Sequence, residues 1–92
     1  MVESAVGAYL SGFAMAGECE VFYWREAGKE VDFVLRRGDK VTAIEVKSGR
    51  TPNSLPGMAA FDRVYHPDKK LLVGSGGIPV EQFLRIPAAS LF

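Results

Sequence analysis

Glu45 and Lys47 are the two charged residues of this chain that most clearly indicate either an ion pair or an active site. They lie in residues 41–47 (VTAIEVK), a segment otherwise rich in apolar and β-branched residues, as in a central strand covered on both faces. Side chains two apart on a strand point the same way, so this carboxylate and this ammonium share one face, about 7 Å apart along the strand. Because a buried charge is costly unless it is paired or binds a metal, the pattern predicts either an ion pair or an active site.

Asp32 is likewise a charged residue inside an apolar predicted strand. It lies in residues 30–35 (EVDFVL), on the strand that precedes residues 41–47. A short turn makes the two strands neighbours, so Asp32 is expected to face Glu45 and Lys47. Glu3, on a predicted N-terminal helix, can lean toward the same edge of the sheet. Clustered carboxylates repel one another and a divalent cation relieves that repulsion. The four residues predict metal-assisted phosphodiester hydrolysis, with Lys47 orienting a metal-bound water or stabilising charge on a phosphate.

Simpler interpretations of each residue stay open at this point. Glu45 and Lys47 can be an ion pair with no catalytic role. Asp32 can cap a turn instead of standing inside a strand. Glu3 can be present because a glutamate in the first turn is favoured by the helix dipole.

The elements that must position these residues are predicted from apolar periodicity and turn residues. A helix is predicted over 2–16 and another over 54–63. Glycine-containing turns predict antiparallel strands over 20–25, 29–36 and 40–47, and the helical crossover places a fourth strand, 70–73, parallel to the third. Two short helical turns are predicted over 80–84 and 87–92. This order predicts an α/β fold, a mixed sheet flanked by helices, in a single domain over residues 1–92.

Composition excludes several other classes of protein. Eleven basic residues balance eleven acidic residues in a chain of 92, so net charge alone gives no signal for nucleic acid. One cysteine and one histidine leave little for a zinc site and no internal disulfide, which suits a reducing cytoplasm. No apolar run approaches the roughly 20 residues of a membrane span, and the N-terminus lacks the features of a signal peptide. The expected location is cytoplasmic.

Asp32, twelve intervening residues, then Glu45-Val46-Lys47, preceded by a helical Glu3, resembles the PD-(D/E)XK nuclease superfamily, also called the restriction-endonuclease-like fold. Residues 23–26 (YWRE), 30–34 (EVDFV) and 43–49 (AIEVKSG) resemble, more narrowly, the DUF4143 domain at the C-terminus of many bacterial and archaeal AAA-type ATPases. The likeness covers nearly the whole chain.

This resemblance implies a restriction-endonuclease-like αβββαβ core and a Mg²⁺- or Mn²⁺-dependent nuclease with no organic cofactor. By resemblance, Asp32 and Glu45 are the metal ligands, Lys47 is the catalytic lysine and Glu3 is an acid carried by the helix. The implied partner is nucleic acid, most simply DNA. The alternative is a non-catalytic nucleic-acid-binding or protein-docking domain associated with an AAA-type ATPase; a third interpretation is a folded remnant without activity.

Two departures from that family qualify the expected partners. The chain has no phosphate-binding loop of its own, because residues 74–77 lack the Gly-Lys-Ser/Thr ending. It also begins almost at the helical glutamate, as a fragment or stand-alone version of a larger ATPase C-terminal domain would. An AAA-type ATPase is therefore one candidate partner, which is either absent or lies outside this sequence. The aromatic first strand, if it lies at a sheet edge, could form a homodimer.

Overall fold

A computed structural model describes residues 2–47, 56–74 and 76–92, with side chains for 5–47, 57–74 and 76–92. The elements in chain order are α1 (Val2–Met15), β1 (Glu20–Glu26), β2 (Lys29–Arg37), β3 (Lys40–Lys47), α2 (Pro56–Tyr65), β4 (Lys69–Gly74), α3 (Val80–Phe83) and a 3₁₀ turn (Ala88–Leu91). Every predicted element is found, with its ends within two residues wherever the structure describes them. No helix among these residues is long and apolar enough to cross a membrane.

The four strands form one mixed sheet in the order β1-β2-β3-β4. The two hairpins are antiparallel, whereas β4 runs parallel to β3 after the α2 crossover. The predicted α/β class and the predicted parallel fourth strand are therefore confirmed. Because β3 has a hydrogen-bonded neighbour on each side, its backbone is paired at the centre of the sheet, and β1 lies at an edge.

Two separate hydrophobic clusters cover the two faces of the sheet. On one face α1, α3 and the 3₁₀ turn pack against β2, β3 and β4, and α2 packs against β2 and β3 on the other. The first cluster includes Val6, Leu10, Leu35, Ile44, Val73, Phe83 and Leu91. The second consists of Val31, Val34, Ala43, Met58 and Phe61. A charged side chain on β3 is therefore buried on either face unless it lies near the end of the strand.

Two long-range hydrogen bonds hold the C-terminal residues against the first cluster. The buried Thr42 hydroxyl donates to the Leu91 carbonyl at 2.6 Å. The Tyr9 hydroxyl of α1 donates to the Ile86 carbonyl at 2.5 Å. The last helical turns thus close the α1 face of the sheet, and the α2 face is left as the side from which a site near the end of β3 can be reached.

Candidate active site

The predicted site lies where the pairing of β2 with β3 ends. The last backbone pair of this ladder is Phe33 with Ile44, one residue before Asp32 would meet Glu45. On the other side of β2, Phe22 pairs with Val34 and Trp24 with Val31, so β2 has one more residue than β1 between those pairs. The extra residue makes a β-bulge at Asp32 and Phe33, and bulges re-aim side chains and interrupt pairing.

Asp32 and Glu45 are joined by an exchange of side-chain and backbone hydrogen bonds. The Asp32 N–H donates to Glu45 Oε1 at 3.1 Å, and the Val46 N–H donates to Asp32 Oδ2 at 2.8 Å. These bonds continue the strand pairing after the regular ladder stops. The structure thus brings the two predicted carboxylates together through the bulge, where the sequence predicted a regular cross-strand pair.

Glu45 and Lys47 form the ion pair that one interpretation of the sequence required. The Lys47 ammonium lies 3.3 Å from Glu45 Oε2, and the side chain of Glu45 is 7% exposed while that of Lys47 is 32% exposed. The lysine is therefore only half-buried, because it is the last residue of β3. Asp32 adds a second acid beside the pair, which an isolated ion pair would not need.

The pKa of Glu45 is raised above its ordinary value, chiefly because burial penalises the ionised carboxylate and secondly because of the negative charge of Asp32. The Asp32 N–H and the Lys47 ammonium act in the opposite direction without cancelling these effects. Glu45 is consequently a buried carboxylate whose charge is incompletely compensated by the described residues.

An open cleft of about 340 Å³ gives access to this cluster. Its lining includes the three predicted residues Asp32, Glu45 and Lys47, together with Lys29, Glu30 and Gly57. Gly57, near the start of α2, is required there because an added Cβ would lie only 1.8 Å from the Glu30 carbonyl oxygen. No residue pattern marks Gly57 or Lys29 as part of the cleft, since both approach the cluster only through the packing of α2 on β2.

The side chain of Glu3 lies outside the residues whose side chains the structure describes, although its backbone belongs to α1. Its role as an acid carried by the helix therefore stays a prediction. The remaining candidates, Asp32, Glu45 and Lys47, all lie within the described residues and line one cleft.

The donor set of the cleft fits a hard divalent cation. Among the described residues no three His, Cys, Asp or Glu side chains come together as a metal-binding group. Two carboxylates are nevertheless enough for Mg²⁺, which commonly keeps several of its waters. Each ionised carboxylate can accept more hydrogen bonds or metal bonds than the described contacts occupy. Burial is the main cause of the raised pKa of Glu45, and a cation bound by Asp32 and Glu45 would offset the second cause, the repulsion from Asp32.

Comparison with known proteins gives one match. A protein-family model described as "Domain of unknown function (DUF4143)" matches residues 1–89. No curated protein and no solved structure matches this chain.

Proposed function

The chain belongs to the DUF4143 family, whose function is unknown, and we propose that it is a metal-dependent nuclease of the PD-(D/E)XK superfamily that hydrolyses phosphodiester bonds in nucleic acid. The observation that carries this proposal is the convergence of Asp32, Glu45 and Lys47 in one cleft at the end of the β2–β3 ladder. The element order helix, three strands, helix, strand gives it further support.

In this proposal Asp32 and Glu45 hold Mg²⁺ or Mn²⁺. When bound, such a cation lowers the pKa of a coordinated water and neutralises charge on the phosphate. The bulge orients Asp32, and the Asp32 N–H fixes one oxygen of Glu45, so both carboxylates are held in place before substrate arrives. Glu3, from α1, would assist as a further acid.

Lys47 supplies the second chemical function of the site. Its ammonium lies at the open end of β3, paired with Glu45 and one-third exposed, so it can reach a substrate in the cleft. There it positions the attacking water or donates to a phosphate oxygen as negative charge accumulates. The water oxygen bonds to phosphorus and releases one proton to solvent as the bond to the leaving sugar oxygen breaks, and the leaving oxygen takes up a proton from solvent.

A nicking assay on plasmid, single-stranded and branched DNA with Mg²⁺ or Mn²⁺ tests the catalytic proposal. Asp32→Ala and Lys47→Ala should each reduce cutting by at least about 100-fold, the scale of removing one electrostatic contact to the transition state. Lys40→Ala, at the opposite end of β3, is the matched control and should cut at the wild-type rate. Cutting retained in both site variants would point to a contaminating nuclease and refute the assignment.

Thermal unfolding tests the metal site without relying on activity. A cation that binds only the folded chain raises Tm by mass action, so Mg²⁺ or Mn²⁺ should stabilise the wild type. Asp32→Asn and Glu45→Gln should remove that increase, whereas exposed Glu81→Gln should keep it. An equal increase in all four proteins would mean that the cation binds elsewhere.

A second candidate function, a protein-docking domain associated with an AAA-type ATPase, is favoured by the exposed edge of the sheet. β1 is an edge strand, and its Phe22 and Tyr23 are 45% and 76% exposed. Edge strands with exposed apolar residues are ready to pair with another chain. An intact protein that binds metal but cuts no nucleic acid would favour this candidate over the nuclease.

A further inference from the structure

We propose that the nucleic acid backbone leaves the catalytic cleft along a line of three cations beside α2: Lys47, Lys29 and Arg63, here called the phosphate track. The inference rests on the proposed function and names the path of its substrate. It assigns binding roles to Lys29 and Arg63, neither of which belongs to the cluster of Asp32, Glu45 and Lys47.

Lys29 lies on the same face of the sheet as the cluster. It begins β2 two residues before Val31, which packs beneath α2, and alternate residues of a strand share a face. Glu45 and Lys47 follow Ala43, another residue packed beneath α2, at the same spacing. Lys29 accordingly lines the catalytic cleft as well as a second groove of about 210 Å³ between α2 and the β1–β2 turn.

Arg63 continues the track along this second groove. It is an exposed residue in the last turn of α2, and it lines the groove together with Lys29. Gly57, at the catalytic end of α2, and Arg63 are six residues apart, which is about 9 Å along a helix. One strand of a duplex advances about 3.4 Å per phosphate, so this distance suits two or three phosphates.

The charges around the track favour an anionic ligand. Among the described residues, Lys29 and Arg63 take part in no ion pair, whereas two nearby acids, Glu30 and Asp62, are engaged by other cations. Glu30 is bound by Arg25 at 3.0 Å, and Asp62 is bound by Lys70 at 3.3 Å. The two cations are therefore available to phosphates.

Glu26 provides a test in which removing a charge is expected to strengthen nucleic acid binding instead of weakening it. It is the one carboxylate among the residues that line the second groove, and its backbone pairs with that of Lys29 across the β1–β2 turn. A phosphate on the track would be repelled by Glu26. Removing this charge should therefore strengthen binding, whereas removing Lys29 or Arg63 should weaken it.

Fluorescence anisotropy with labelled single-stranded and duplex DNA, in EDTA to prevent cutting, measures the track independently of catalysis. Lys29→Ala and Arg63→Ala should each weaken binding about fivefold at 0.15 M salt, the counterion-release value of one phosphate contact. Each should also reduce the slope of log K against log salt by about 0.7 for a single strand or about 0.9 for a duplex. Glu26→Gln should tighten binding.

Lys40→Ala is the matched control, because Lys40 begins β3 after a two-residue turn just as Lys29 begins β2, but at the opposite end of the sheet. Equal weakening by Lys40→Ala and Lys29→Ala would overturn the track in favour of diffuse surface charge. If Lys29→Ala and Arg63→Ala cut DNA at the wild-type rate and bind it with unchanged affinity, the phosphate track is refuted and the nuclease proposal is unaffected. If the wild type cuts no DNA, but Lys29→Ala and Arg63→Ala still weaken DNA binding selectively, the phosphate track is supported and the nuclease proposal is refuted.

Discussion

Glu45 is the one charged residue that is buried among the residues described by the structure. It is 6% exposed overall, and its carboxylate receives an N–H from Asp32 and an ammonium from Lys47. Burial and the neighbouring Asp32 still raise its pKa. Burying an ionised carboxylate beside a second one lowers the free energy of unfolding. Arrangements of this kind are common in active sites.

The raised pKa of Glu45 predicts how stability changes with pH when no metal is bound. The folded chain binds the Glu45 proton more tightly than the unfolded chain, so the free energy of unfolding falls as pH rises from about 4.5 through the raised pKa. Glu45→Gln imitates the protonated side chain and lacks this loss. The stability of the wild type relative to Glu45→Gln should thus decrease between about pH 4 and neutrality.

Chemical denaturation in EDTA at a series of pH values measures this difference. Other titrating groups are common to both proteins and largely cancel in the comparison. Glu81→Gln, an exposed substitution on α3, is the matched control and should lack this decrease, because Glu81 is not buried. A wild type that gains stability over Glu45→Gln as pH rises would contradict the predicted direction.

Among the elements, the start of α2 determines the shape of the cleft that Asp32, Glu45 and Lys47 line. Gly57 lets the helix backbone approach the Glu30 carbonyl more closely than any other residue would allow. Glu30 lies two residues before Asp32, so a displaced α2 would disturb the strand that carries this proposed metal ligand. Helix position and carboxylate position are therefore coupled through one glycine.

Gly57→Ala should destabilise the fold by about 1–3 kcal/mol, as expected of an inserted methyl group that forces backbone to shift. Cutting activity should fall with it, because the cleft must widen. Gly12→Ala in α1 is the control, since no atom lies within 4 Å of its added Cβ. That exposed helical substitution should stabilise by about 0.5–1 kcal/mol. Urea denaturation measures both, and equal effects would refute the packing argument.

In the molecule as a whole, the two edges of the sheet differ in how far neighbouring backbone pairs with them. The β4 edge carries an additional bridge from Val73 to Ile78, whereas β1 pairs with β2 alone among the described residues. Phe22, Tyr23 and Tyr65 are exposed and line one groove beside β1. A zero net charge gives little repulsion between copies, so this edge favours association.

We therefore expect the isolated chain to form a dimer through β1, detectable by sedimentation velocity as concentration increases. Tyr23→Lys should shift it to monomer, because a lysine on an edge strand opposes pairing with another chain. Met15→Lys removes a side chain that is 89% exposed at the end of α1 and should leave the dimer intact. A wild-type monomer at high concentration would refute this expectation.

Residue types and their spacing were enough to predict the elements, the sheet class and the charged residues that break the apolar pattern. Alternating and helical periodicities depend on local side-chain burial, and short glycine turns allow only neighbouring antiparallel strands. The unusual Glu45 on a central strand was visible for the same reason. The DUF4143 assignment also came from these residues and is confirmed over residues 1–89.

The construction of the site, in contrast, is visible only in the folded chain. The bulge at Asp32 depends on the register of β1 and β3 against β2, which no local pattern specifies. The contributions of Gly57, Lys29 and Arg63 depend on where α2 crosses the sheet. The geometry of the cleft therefore follows from how separate elements pack together, which residue types and local spacing do not specify.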